Sequence, residues 1–309
     1  MNSKKKIIIL LPVYNDWASL NKLFKYIDNQ AKKISINFNA LIVNDNSSKK
    51  SRLDIKNLKR IKKIEILNLK QNCGNQIAIA IGLRLLSKKK NISKIIVMDS
   101  DGEDSPFALS KMLDILSKNK EKFVFASRAS RKENFILKFL NNLRLIFTFM
   151  MTGKYIDYGN FSCFNFSNLK KIINQKETYY AFCSSVTKFS KIIKVPVKKE
   201  IRYQGKSKAN FKFLIMHSLN IINVFSFIFF LRSLLFIFVS FVFFKETYIL
   251  NFVIVLFAIL NCINLYLIRT RKEAFYFNRF VKNIVQLKWF NFAINAQVKF
   301  NYIKSNNYF

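Results

Sequence analysis

The sequence predicts an α/β protein: a mostly parallel sheet covered by helices, followed by an amphipathic interface helix and two transmembrane helices. Three observations carry this expectation. Up to about residue 205, short apolar runs alternate with longer amphipathic ones. Such alternation, with strands apolar on both sides, suits a parallel sheet buried on both faces. Two long segments, Ile221–Phe244 and Tyr248–Ile268, then hold a single charge between them, Arg232. Joining the two regions, Asn210–Phe225 repeats apolar residues at spacings of three and four.

Taken in order, Lys6–Val13 reads as a strand and Trp17–Ala31 as a helix. The opening KKKIIILLPV imitates a signal peptide, but its apolar run is short and Pro12 and polar residues follow, so it reads as a buried strand. Ala40–Val43 and Ile64–Leu67 are strands, Ile77–Leu86 a helix, Ile95–Met98 a strand, Phe107–Ser117 a helix and Phe123–Ala126 a strand. In Asn210–Phe225, apolar Phe211, Leu214, Ile215, Leu219 and Ile222 share one face, and Asn210, His217, Asn220 and Asn223 another. A span needs about 20 apolar residues. Tyr248–Ile268 meets this without a charge, and the preceding segment meets it if Arg232 snorkels from near one end. The competing reading, two buried core helices, fits uncharged Phe-rich segments of this length less well. The division expected is therefore 1–208, 209–225, 226–268 and a basic aromatic tail 269–309. In that tail Phe277, Phe280, Val281 and Ile284 suit an interfacial helix.

Composition narrows the classes. The chain has 309 residues, 53 Lys+Arg and 17 Asp+Glu, a net charge of +36. With 51% hydrophobic residues it is not a disordered chain. Four Cys without a C-x-x-C pair and one His, His217, argue against a disulfide scaffold, a cysteine zinc site or a multi-His metal site. The charge fits a nucleic-acid binder, a protein on an anionic membrane, or Lys-rich coding bias on solvated faces. No nucleic-acid motif accompanies it. Positive flanks on both sides of a hairpin with a three-residue loop place both termini and the folded domain in the cytoplasm, at the inner cell membrane.

In parallel sheets, ligands bind at the carboxyl ends of the strands. The residues there are Pro12-Val13-Tyr14-Asn15-Asp16, Asn44-Asp45-Asn46-Ser47-Ser48, Asp99-Ser100-Asp101-Gly102-Glu103-Asp104 and Ser127-Arg128. Four of the 17 acidic residues lie within Asp99–Asp104. Packed acids repel, and a divalent cation with oxygen ligands, Mg²⁺ or Mn²⁺, relieves that. A solvated acidic turn capping the helix near Pro106 accounts for the same spacing equally well.

The ordered motifs are more specific. LPVYND (11–16), LIVNDNSS (41–48), NCGNQIAIAIGL (72–83), IVMDSDGEDSP (96–106), FASR (125–128), IDYGNFSCF (156–164) and RYQGKSKANF (202–211) resemble the family 2 glycosyltransferases of the GT-A fold. With the amphipathic helix and two spans after G-K-S-K, the chain is similar to the polyprenyl- or dolichyl-phosphate sugar transferases. The resemblance implies a nucleotide-diphosphate sugar as donor, a polyprenyl phosphate as acceptor and a lipid-linked monosaccharide for cell-envelope glycans as product. It implies that Pro12, Tyr14, Asn15, Asp16, Asn44 and Asp45 border the nucleotide. Asp99, Asp101 and Glu103 would hold Mg²⁺ or Mn²⁺, with Asp99, Asp101 and Arg128 in the catalytic centre. Arg128, Lys138, Asn142, Lys206 and Lys208 would hold donor or acceptor phosphates. Relatives commonly read D-D-G-S where this chain has Asn44-Asp45-Asn46-Ser47, and G-F-R where it has Asn160-Phe161-Ser162.

An acceptor phosphate is ionised at neutral pH and needs no general base, which suits a site without His. Two other readings stand beside it: a family 2 enzyme acting on a glycan or lipid hydroxyl, and a non-catalytic basic membrane binder. The apolar hairpin is also a surface for homo-oligomerisation.

Overall fold

The computed structural model describes residues 5–51, 53–128, 135–204, 211–244, 248–271, 281–288 and 299–303. Two compact units emerge from the packing. The first holds strands β1 (Lys6–Val13), β2 (Phe38–Asn44), β3 (Ile61–Leu69), β4 (Ile92–Val97), β5 (Phe123–Arg128), β6 (Tyr158–Asn165), β7 (Ile192–Val197), β8 (Val281–Lys288) and β9 (Lys299–Ile303). It also holds helices α1 (Trp17–Lys33), α2 (Asn75–Ser87), α3 (Leu109–Lys118) and α5 (Phe182–Phe189). The second unit gathers α4 (Phe135–Thr152), α6 (Phe211–Val224), α7 (Ser226–Phe243) and α8 (Tyr248–Arg271).

The strand order is β7-β5-β6-β4-β1-β2-β3-β8-β9. Its centre is parallel: β1 pairs with β2 and β4, and β2 with β3. β6 runs antiparallel between β4 and β5, while β5 and β7 are parallel. Because β1 has parallel neighbours on both sides, the loops leaving β1, β2 and β4 emerge along one edge. Up to residue 128 each expected strand and helix forms, and β6, β7, β8, β9, α4 and α5 are additions to them.

Side chains alternate across β1, as a strand requires. Ile9, Leu11 and Val13 join one core with Leu20, Leu23, Phe24 and Ile27 of α1 and Met112 and Leu116 of α3. Leu10 faces the other way, onto α2. There a Cβ on Gly82 would lie 2.5 Å from Leu10 Cδ1 and 2.9 Å from Val43 Cγ2, so glycine lets the helix seat directly on β1 and β2. Buried Asp28 of α1 ties down the start of β3, accepting the amides of Arg60 at 2.5 Å and Ile61 at 3.2 Å.

In the second unit, α7 and α8 are apolar and long enough to cross a membrane, with 18-residue stretches of mean hydropathy 2.3 and 2.2 within Ser226–Phe243 and Tyr248–Arg269. Arg232 stands seven residues into α7 and not at its end. Its guanidinium donates to the carbonyls of Phe149 at 3.1 Å and Met150 at 2.6 Å, the last turn of α4. The helices are further joined by Asn261 Nδ2 donating to Ser233 Oγ at 3.0 Å. The polar face expected on α6 does not all meet solvent: Asn223 is buried beside Ile221, Ile222 and Val224, while Ile215 is exposed. In the C-terminal tail, Val281 and Ile284 lie on strand β8, paired antiparallel with β3, where the sequence suggested a helix. A strand edge offered by β3 rewards pairing more than an isolated helix would. Phe277 and Phe280 lie outside the described residues.

Gly82→Val is expected to destabilise the first unit by about 2 kcal/mol or more, the cost of overpacking a filled core. The melting temperature of the detergent-solubilised protein would report it, and an unchanged value would contradict this seating of α2.

Candidate active site

The turn after β1 and the turn after β2 lock onto each other. Asn15 and Asn46 both adopt left-handed backbone, at φ 59° and 56°, a conformation asparagine tolerates better than most residues. Asn15 donates its amide to Ser47 Oγ at 2.9 Å, and its Oδ1 accepts from the Lys49 amide at 3.0 Å and the Ser48 hydroxyl at 3.2 Å. Asn44 Oδ1 accepts the Ser47 amide at 3.0 Å, and Asn44 Nδ2 donates to Asn68 Oδ1 at 2.7 Å. Tyr14 is exposed at the lip of this turn, whereas Pro12 is buried within β1 opposite Val43.

Asp45 has a structural use. It is 3% exposed, and its two carboxylate oxygens accept the amides of Cys73 at 2.7 Å and Gly74 at 2.8 Å. Those amides open α2, so the carboxylate satisfies donors that the helix cannot satisfy itself. Burial raises the pKa of Asp45, and the two amides oppose that rise.

The acidic turn after β4 is folded on itself. The Asp99 amide donates to Asp104 Oδ2 at 2.8 Å, and the Glu103 amide to Asp101 Oδ1 at 3.0 Å. Asn75, first residue of α2, donates Nδ2 to Asp99 Oδ1 at 3.0 Å. The helix-capping reading does not hold: the residues preceding the short 3₁₀ turn Pro106–Ala108 and α3 make no side-chain cap, and the first turn of α3 has no acid. The acids instead meet cations from the stretch after β7. Arg202 bridges Asp16 Oδ2 at 2.7 Å and Asp101 Oδ2 at 3.0 Å, and Lys199 pairs with Glu103 at 2.7 Å. The backbone follows, with the Tyr203 amide bonded to the Asp101 carbonyl and the Glu200 amide to the Glu103 carbonyl, both at 3.0 Å. The Tyr203 ring covers Gly102, where a Cβ would come within 2.3 Å of it.

The fold thus gathers Asn15, Asp16, Asn44, Asp45, Asp99, Asp101 and Glu103 at one edge of the first unit. Among the described residues, no group of three His, Cys, Asp or Glu is placed to hold a metal ion, and Glu103 is paired with Lys199. Asp99 and Asp101 still fit a divalent cation as two oxygen donors, and the guanidinium on Asp101 marks where the site draws positive charge. Arg128 ends β5, and its side chain lies outside the described set, as do Lys206 and Lys208. Lys138 and Asn142 are exposed on α4, in the second unit. Sequence reasoning missed Lys199, Arg202 and Asn75. Arg202 begins the quoted RYQGKSKANF segment, and a basic residue so close to a motif was the available signal.

The profile of a known family, described as Glycosyl transferase family 2, matches residues 8–190. The chain belongs to glycosyl transferase family 2. This family 2 chain is 29% identical over 134 residues to the uncharacterized glycosyltransferase YkcC of Bacillus subtilis, covering 42% of this chain and 39% of that protein. It is 26% identical over 128 residues to the uncharacterized glycosyltransferase sll0501 of Synechocystis, covering 41% and 39%. The chain thus matches about two-fifths of the length of these curated relatives. Mannosyl-3-phosphoglycerate synthase from Rubrobacter xylanophilus superposes with a TM-score of 0.52 at 14% identity, over 72% of this chain and 73% of that one. That likeness shows a shared GT-A fold.

Within this family 2 site, Asp101 is the electrostatically costly residue. Burial, then the charges of Asp99 and Glu103, push its pKa up to about 7, against the Glu103 amide and Arg202, which favour its charged form. Its folded value lies above its unfolded value of 3.8, so the folded state holds the proton longer. The stability of the metal-free protein should therefore fall as pH rises from about 4 to about 7, by up to about 1.4 kcal/mol per pH unit. Asp101→Asn should flatten that fall. Thermal unfolding in chelator across this range measures both, and an equal slope in the two proteins would contradict the assignment.

Proposed function

We propose that the chain transfers a sugar from a nucleotide-diphosphate sugar to a polyprenyl phosphate, undecaprenyl or dolichyl, at the cytoplasmic face of the inner membrane. The observation that carries this reading is the acidic turn Asp99–Asp104, at the carboxyl end of a central parallel strand beside the Asn15–Asn46 turns, in a family 2 chain with two apolar span-length helices. The acceptor half rests on the second unit. Its α4 exposes Phe139, Leu143, Ile146, Phe149 and Met150, and α7 and α8 expose many more large apolar side chains. Contiguous apolar surface of this extent suits a bilayer.

Asp99 and Asp101 would hold Mg²⁺ or Mn²⁺, which when bound neutralises the diphosphate as its charge grows. The chain's own residues do the positioning. Asn75 orients the Asp99 carboxylate, and Tyr14, Asn15 and Asn44 border the nucleoside. Asp45 keeps α2 and its amide-bearing turn in place. Arg128 and Lys206 would offset the repulsion between two anionic substrates. In the transfer, an acceptor phosphate oxygen forms a bond to the anomeric carbon as the bond to the β-phosphate oxygen breaks. The nucleoside diphosphate leaves with the electron pair, and direct displacement inverts the anomeric centre. No proton need be removed from the acceptor at neutral pH.

Purified protein in anionic vesicles should convert labelled nucleotide sugar and polyprenyl phosphate to an acid-labile lipid-linked sugar, in a reaction requiring Mg²⁺ or Mn²⁺. Asp101→Asn should slow it at least about 100-fold, the scale of losing a transition-state charge partner. An acid-stable glycoside as product, or an unchanged rate in Asp101→Asn, would overturn the proposal.

A further inference from the structure

We propose that Arg202, assisted by Lys199, is the resident counter-cation of the acidic turn, and that the divalent metal binds by displacing it. The inference rests on the metal reading of Asp99 and Asp101 above. The geometry behind it is a juxtaposition of four acids and two bases from three separate loops. Asp16, Asp99, Asp101 and Glu103 stand together on the first unit, and only positive charge or protonation makes that tolerable. Arg202 supplies positive charge to two of them at once, with Nη1 on Asp101 at 3.0 Å and Nη2 on Asp16 at 2.7 Å. Its third donor, Nε, is spent on the Gln204 carbonyl at 2.9 Å, which aims the fork. Lys199 occupies Glu103 at 2.7 Å.

A cation at Asp101 would have to share a carboxylate with a guanidinium. Two positive centres on one carboxylate repel, and the carboxylate oxygen that Arg202 uses is one a metal would coordinate. One must leave. Arg202 is free to do so because the strap carrying it has anchors of its own: the two backbone bonds at Tyr203 and Glu200, and the Tyr203 ring packed between Gly102 and Tyr26, with ring centroids 5.6 Å apart. Side-chain exchange therefore does not require the strap to unfold. The same exchange leaves Arg202 tethered beside the site with its charge uncommitted, while Asp16 loses its partner. Arg202 thus lowers metal affinity until something anionic compensates its release.

The test is Mn²⁺ binding to the full-length protein in detergent, read by electron paramagnetic resonance without nucleotide or acceptor. Arg202→Gln should bind Mn²⁺ about tenfold more tightly than the unaltered protein, and Arg202→Lys, which keeps the charge, should stay within about threefold of it. An unchanged or weaker affinity in Arg202→Gln would overturn the inference. A second measurement guards against misfolding of the variant: in the unaltered protein, the Arg202 guanidinium protons should exchange slowly without metal and at least about tenfold faster with Mg²⁺. Equal exchange in both states also overturns it. If Asp101→Asn binds Mn²⁺ as well as the unaltered protein, the metal reading itself falls. If only the Arg202 results fail, that reading stands and the displacement does not.

Discussion

Parallel pairing of β1 with neighbours on both sides is the constraint on which the site depends. Strands that run the same way deliver their exits to the same edge, so residues 16, 45 and 101 become neighbours despite their separation in sequence. The backbone carries this out to the last residue: the Asp45 amide bonds the Val13 carbonyl at 2.8 Å and the Met98 amide the Leu10 carbonyl at 3.1 Å. Gly82 lets α2 lie on β1 and β2, and the amides of Cys73 and Gly74 at the start of that helix meet Asp45.

Convergence has an electrostatic cost. The strand exits bring acids into one place, and the chain answers with a basic stretch from far along the sequence. The pairs Arg202–Asp16, Arg202–Asp101 and Lys199–Glu103 are mostly shielded from solvent, where removing one partner strands the other. The same pairs hold the strap over Gly102, so packing and charge balance are enforced by one segment. In a protein with net charge +36, the informative charges are the few acids and the bases chosen to meet them.

Much of this was legible in the sequence, for identifiable reasons. Continuous apolar runs marked β1, β2 and β4, and the polar residues after them marked the edge. Other features depend on partners distant in sequence. Strand β6 runs opposite to its neighbours, and nothing in YGNFSCFN states direction. Helix α4 is apolar on too many sides to read as amphipathic, because it packs with other apolar helices. The hold of Asp45 on the amides of Cys73 and Gly74 depends on a turn 28 and 29 residues further along the chain. Strand β8 takes its structure from the open edge of β3 and not from its own periodicity.

Arg232 shows how one charge is accommodated in an apolar helix. Its guanidinium is satisfied by carbonyls at the end of α4, and Gly153, at φ +70° just beyond that end, has no side chain to obstruct it. An arginine within an apolar segment resists leaving water, and here backbone carbonyls of α4 take up its donors. With the end of α4 already present, the cost is shared. Because α4 precedes α7 in the chain, the carbonyls that satisfy Arg232 are synthesised before it, and an arginine that looks like a flaw in a hydrophobic helix is instead a tie between two helices.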